Sequence, residues 1–216
     1  MKRIYGKKFL VPLSMLLLCT LCISVGIYQQ TLSLSRLSEE QIENLRDEYP
    51  ICSLDGPPAY SMRIFTLDEM INLADTFIYG EVESNMDSYS ENISTGIPDL
   101  DEKRAADGIS NQVGFYGYTI RIMGDSEGVC TPGDTIYVSN NADFFDYRPK
   151  FEKGMKVVFG VSLDQRGTGY PTVGTYYVTD DGYALSAFPE EQKTMQARGT
   201  YSGVKVEYLL KQLKKK

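Results

Sequence analysis

The side chains that could act here as acid, base, nucleophile or metal ligand are carboxylates, lysines, serines and four cysteines, because none of the 216 residues is a histidine. Ser-His-Asp and Cys-His catalysis, imidazole-bound zinc or iron and a histidine pH switch are therefore excluded. Catalysis would have to use paired carboxylates, a Ser-Lys dyad or a metal held by carboxylates. Three acidic clusters have that spacing: Asp180 with Asp181, Asp143 with Asp146, and Asp99 with Asp101 and Glu102. Asp180-Asp181-Gly182 lies between two β-rich runs, where Asp-Gly serves a hairpin turn without any chemistry. Asp99-x-Asp101 opens like a calcium loop, but Arg104 stands at its sixth position instead of Gly and Ser110 at its twelfth instead of a bidentate Glu. It is not an EF-hand. The sequence names no catalytic residue, no metal ligand and no cofactor.

Binding chemistry is better represented. Sixteen tyrosines and nine phenylalanines stand against no tryptophan. Aromatic planes with a hydrogen-bonding tip suit a sugar or peptide ligand, and they equally suit a β-rich core. The candidate ligand face is the loop at residues 140–147, with Phe144, Phe145 and Tyr147. Packing inside a barrel is the competing use of the same residues. The lysines at 211, 214, 215 and 216 either meet an anionic membrane or wall polymer, or serve as ordinary charge at a helix end.

Net charge is −7, but its distribution is uneven. Residues 31–210 hold 14 basic and 29 acidic side chains, a charge of −15. A body of that sign repels polyphosphate, so nucleic acid is not an expected partner. Residues 1–30 hold four basic side chains (Lys2, Arg3, Lys7, Lys8) and no acidic one. Residues 9–28 follow without a charge, and 20 residues at about 1.5 Å each match a hydrocarbon core of about 30 Å. The positive-inside bias keeps residues 1–8 in the cytoplasm and sends the remainder outward. The expectation is a single-pass signal anchor in the cell membrane. Cleavage after Ser24-Val25-Gly26, giving a secreted protein, is the alternative.

Behind the anchor, residues 29–59 read as a juxtamembrane stalk and linker. Ser38 and Gln41 form a capping box, and Pro50 ends the helix. The exported domain is expected at residues 60–216. A capping box at Thr66 starts a short helix over 67–74, and a strand over 76–83 follows. Residues 84–112 are polar and acidic with few large apolar side chains, which predicts a mobile insertion. Tyr116, Tyr118, Ile120 and Ile122 share one face of the next strand, and Thr135-Ile136-Tyr137-Val138-Ser139 forms another. Lys156 to Ser162 is nearly continuously apolar and reads as a strand buried on both faces. Residues 175–179 and 183–186 should pair as a hairpin, and Val206, Leu209, Leu210 and Leu213 have the spacing of an amphipathic helix.

The order short helix, Ala74-Asp75-Thr76-Phe77-Ile78-Tyr79-Gly80-Glu81-Val82, Tyr118-Thr119-Ile120-Arg121-Ile122, Pro132-Gly133-Asp134-Thr135-Ile136 and Phe151-Glu152-Lys153-Gly154-Met155-Lys156-Val157-Val158-Phe159 resembles a known family. It is similar to OB-like barrels of the netrin and tissue-inhibitor-of-metalloproteinase type, as found in exported domains of Gram-positive bacteria. The likeness covers about residues 65–213. It implies a mainly β, OB-like barrel with a short helix before the first strand and a C-terminal amphipathic helix. The inhibitors chelate their target's zinc through Cys-x-Cys at the mature N-terminus. Here Ser53 and Leu54 follow Cys52, so that mechanism does not carry over.

Function then reads as a membrane-anchored, non-enzymatic binding or interaction module at a bacterial cell surface, with a surface protein or glycan as partner. A carboxylate or metal-dependent envelope enzyme and a structural component of an envelope assembly are the alternatives. Cys52 and Cys130 are the two cysteines beyond the apolar segment. In an oxidising compartment they either pair, closing a loop of about 80 residues with about 4–5 kcal/mol of chain-entropy stabilisation, or stay free. Export is directly measurable: protease added outside intact spheroplasts should digest residues 31–216, and protection of that region would refute the topology.

Overall fold

The computed structural model describes residues 35–52, 67–164, 168–188 and 201–215. The expected anchor at residues 9–28 lies outside them, as does the end of the expected linker at 53–59. Among the described residues no helix is long and apolar enough to cross a membrane. The strands are β1 (Thr76–Val82), β2 (Asp87–Asn92), β3 (Gln112–Asp125), β4 (Thr135–Asn141), β5 (Lys156–Leu163), β6 (Thr168–Val178), β7 (Tyr183–Ser186) and β8 (Val204–Lys205), most of them β-branched and aromatic runs. All eight join one largely antiparallel sheet. Helices α1 (Glu39–Asn44), α2 (Leu67–Leu73), α3 (Pro98–Ala106) and α4 (Val206–Gln212) are short.

The pairings close on themselves. β1 pairs with β3 and β5, β3 with β4, and β5 with β6, all antiparallel. β4 then meets β6 in parallel through Tyr137↔Thr168 and Val138↔Gly169. Five strands therefore form a ring in the order β1, β3, β4, β6, β5. Period-two alternation sends Tyr116, Tyr118, Ile120 and Ile122 of β3 inward against Ile78, Val82, Ile136, Val138, Val157, Phe159 and Val161. Gly80 makes the closest crossing possible: a Cβ there would lie 2.5 Å from Ile120 Cγ2 and 2.7 Å from the Arg121 carbonyl oxygen, beside a register shift between Tyr79 and Gly80.

A second apolar layer lies outside the ring. Val158 points the opposite way from Val157 and Phe159, joining Phe77, Tyr176 and Val178 under Ile71 of α2 and Val206, Leu209 and Leu213 near the C-terminus. β5 is thus buried on both faces, as its composition predicts. The C-terminal helix and the β6–β7 hairpin also form as expected, the latter with Tyr177 opposite Leu185.

Two expectations are corrected. The segment expected to be a stalk is part of the folded domain over its described residues, 35–52. The capping box is present, with the Gln41 N–H donating to Ser38 Oγ at 3.2 Å and the Ser38 N–H to Gln41 Oε1 at 2.8 Å. The helix beyond it nevertheless packs inward, because Leu37, Ile42, Leu45 and Tyr49 need burial and find it on the ring's core. Arg46 Nη1 donates to the Ser186 carbonyl at 2.9 Å, and the Cys52 N–H to the Ala187 carbonyl at 2.8 Å. Second, residues 84–112 are not structure-poor. β2 pairs with β3 from Asp87↔Gly117 to Asn92↔Gln112, continuing the direction of β1 to build a long arm carrying α3. Its side chains are mostly exposed, so backbone pairing rather than hydrophobic patterning holds it.

Tyr49 is 8% exposed and its ring lies 5.7 Å from that of Tyr177. Tyr49→Ala should therefore cost about 3–5 kcal/mol in urea unfolding of the full chain; an unchanged midpoint would restore the free stalk.

Candidate functional site

Inward-facing tyrosines create a problem that apolar residues do not, since each hydroxyl must reach a polar partner. Their rings form a continuous chain at one end of the barrel. Phe145 meets Tyr116 edge-on at 5.2 Å, Tyr116 meets Tyr118 at 6.3 Å, Tyr118 meets Phe151 at 5.3 Å, and Phe151 meets Tyr177 at 6.3 Å. Tyr118 Oη accepts the Phe151 N–H at 3.4 Å, and the Tyr177 hydroxyl is hydrogen-bonded to the Cys52 thiol. Tyr116 is 3% exposed and its hydroxyl has no hydrogen-bond partner among the described residues. Burial pushes the Tyr116 and Tyr177 phenols well above the ordinary tyrosine value, so both stay protonated donors at neutral pH.

Arg148 completes this end. Its guanidinium carbon is 5.6 Å from the Phe144 ring centroid and 5.8 Å from that of Phe188. It is half-buried, and burial lowers its pKa while the Tyr116 and Cys52 side chains act the other way. Among the described residues it forms no ion pair and no hydrogen bond, although this body has two acidic side chains for every basic one. Lys150 lies over Phe145 at 4.1 Å and takes Asp146 at 3.3 Å, so the neighbouring carboxylate is already engaged.

Of the three residues expected to bind ligand, the 3-10 helix Ala142–Tyr147 places them differently. Phe145 turns to the core, Phe144 flanks Arg148, and Tyr147 is half-buried. The acidic clusters serve local structure. Asp180 lies 3.5 Å from Lys156 beside a turn closed by the Gly182 N–H to the Thr179 carbonyl. Asp101 accepts from Ser94 Oγ at 2.6 Å and the Thr95 N–H at 2.9 Å, which holds its carboxyl below the usual range. No group of three carboxylates or cysteines suited to a metal occurs among the described residues. Cys52 and Cys130 are free thiols, the first beside Tyr177 and the second against the core beside Asp125, and burial pushes both thiol pKa values up. Sequence reading missed Arg148, Tyr116 and Phe188 as a group. Arg148 directly follows the aromatic run, which was a usable signal, but its lack of a carboxylate is visible only in three dimensions.

A second aromatic group lies on the outer face of the arm. Tyr89 stacks on Phe115 at 5.3 Å and reaches Tyr137 at 6.1 Å, with its hydroxyl 2.7 Å from Ser139 Oγ. Gly117 makes room for it: a Cβ there would be 2.6 Å from Tyr137 Cζ. No protein-family model matches the chain, and no curated protein matches it.

The loop that carries Cys130 is held by one carboxylate. Asp125 accepts the N–H groups of Glu127, Gly128, Val129 and Cys130 at 2.6 to 3.1 Å and the Thr76 hydroxyl at 3.0 Å. Burial alone raises its pKa, but the donors outweigh that and hold the carboxyl below its ordinary value. A lowered folded pKa means stabilisation that is complete above the unfolded value of about 3.9 and lost as pH falls through the folded one. Asp125→Ala should cost about 1–3 kcal/mol at pH 7, with the gap to wild type narrowing below about pH 4 in urea melts.

Proposed function

We propose that this chain is a membrane-anchored, extracytoplasmic binding module at a bacterial cell surface, built on an OB-like barrel rather than an enzyme scaffold. The ring order β1, β3, β4, β6, β5, with its single parallel pair, supports the barrel assignment and the resemblance to the netrin type. The basic N-terminus and the uncharged residues 9–28 support the anchor. One observation carries the binding reading: an aromatic barrel end that holds a half-buried arginine with no carboxylate partner among the described residues. Partly buried aromatics around a desolvated arginine are the composition of interaction hot spots. One carboxylate of each acidic cluster is engaged in local structure: Asp180 with Lys156, Asp146 with Lys150, and Asp101 with Ser94 and Thr95.

A component of an envelope assembly is the second reading, and the arm favours it. Ile93, Ile97, Leu100 and Ile109 at its far end are 41 to 57% exposed. The two readings separate in one experiment with the full chain in detergent and isolated cell-wall sacculi. The module reading expects co-sedimentation that falls at least tenfold in the double variant Phe144→Ala with Tyr147→Ala. Retention in that variant with loss in Ile97→Ser with Leu100→Ser would transfer the function to the arm, and absence of binding by wild type would reject a wall ligand.

A further inference from the structure

We propose that Arg148 and Tyr116 together form a receptor for one oxyanion, a carboxylate or phosphoryl group carried by the ligand. The inference deepens the binding-module reading and rests on it. An arginine has five N–H donors in a planar fork and stays charged at any accessible pH. Here the rings of Phe144 and Phe188, at 5.6 and 5.8 Å, stabilise the charge, but no described residue accepts its N–H groups. The guanidinium is half-buried and has no counterion among the described residues, an arrangement that an incoming anion would complete.

Tyr116 makes the second, independent half of the argument. Its ring is locked between Phe145 and Tyr118, and its hydroxyl is buried at 3% residue exposure with no partner among the described residues. Buried hydroxyls are ordinarily satisfied, so an orphan whose ring meets Phe145, while Arg148 lies over the adjacent Phe144, marks the place where an acceptor belongs. The Tyr116 phenol and the Arg148 guanidinium act electrostatically on each other, and the Cys52 thiol acts on both. The two donor groups match an oxyanion, which offers two or three acceptor oxygens at once. Nearby negative charge is compensated, since Asp146 is paired with Lys150 at 3.3 Å. The acidic remainder of the body repels anions elsewhere, which gives this end its selectivity.

Thermal melting of the full chain in detergent at pH 7 tests the proposal, with sodium phosphate or sodium acetate titrated against sodium chloride at matched ionic strength. The expected result is a saturable rise in midpoint beyond that in chloride. A response to phosphate alone assigns a phosphoryl group, to acetate alone a carboxylate, and to both a site selecting charge and shape only. Arg148→Met should abolish the rise, and Tyr116→Phe should weaken apparent affinity at least fivefold while leaving the chloride midpoint at or above wild type. If Arg148→Met does not fold, the Tyr116→Phe affinity decides alone. Absence of any rise beyond chloride, or a rise of wild-type size and affinity in the variants, overturns the proposal. Should the anion response fail while sacculi still bind through Phe144 and Tyr147, the oxyanion is discarded and the binding module stands.

Discussion

Closure of five strands into a ring is the constraint from which the remaining features follow. A ring that small has an interior just large enough for its own side chains, so every inward position must be filled and kept dry. Ile78, Val82, Ile120, Val157, Phe159 and Val161 fill it at 0 to 1% exposure. Tyrosine is the awkward member of that set, since the ring belongs inside and the hydroxyl does not. β3 and β6 carry Tyr116, Tyr118 and Tyr177 inward, and their hydroxyls find the Phe151 backbone, the Cys52 thiol or, for Tyr116, no partner among the described residues. The polar end of the barrel is thus a by-product of using tyrosine as filler.

The elements around the ring complete that end rather than merely covering it. Residues 35–52 pass along β7 and β8, with the Leu37 N–H donating to the Gly203 carbonyl at 2.8 Å and Arg46 reaching the Ser186 carbonyl. They deliver Tyr49 onto Tyr177 and Cys52 beside the same hydroxyl. The chain that follows the uncharged N-terminal stretch is therefore tied to the candidate ligand end by backbone and side-chain bonds.

Electrostatics sharpens the contrast between this end and the rest. Half-buried pairs such as Arg121 with Glu81 at 2.6 Å and Glu83 at 3.1 Å hold their charges near the surface, where salt partly screens them. Arg148 has no such partner among the described residues and is flanked by rings instead. Cation–π contact with two phenylalanines holds the guanidinium in place but leaves its directional donors unused. The result is a local positive site in an acidic body, where a bound anion would be held by direction as well as by charge.

What the sequence determined by itself is whatever repeats locally. The inward face of β3, the doubly buried β5, the turn at Asp180-Asp181-Gly182, the Ser38 cap and the spacing of Val206, Leu209 and Leu213 are each read over fewer than ten residues, where side-chain period and backbone propensity act alone. Tertiary structure decided the rest. β2 contains one aromatic residue among polar ones, so only its ladder to β3 makes it a strand. Leu37, Ile42, Leu45 and Tyr49 are apolar enough for a stalk or a docked segment, and the available core surface chose docking. Phe144 and Phe145 are adjacent in sequence yet serve different purposes, because one side of the 3-10 helix meets Tyr116 and the other meets Arg148. Whether a charge is paired, or a hydroxyl satisfied, depends on neighbours far away along the chain, and composition carries no record of which neighbours folding brings together.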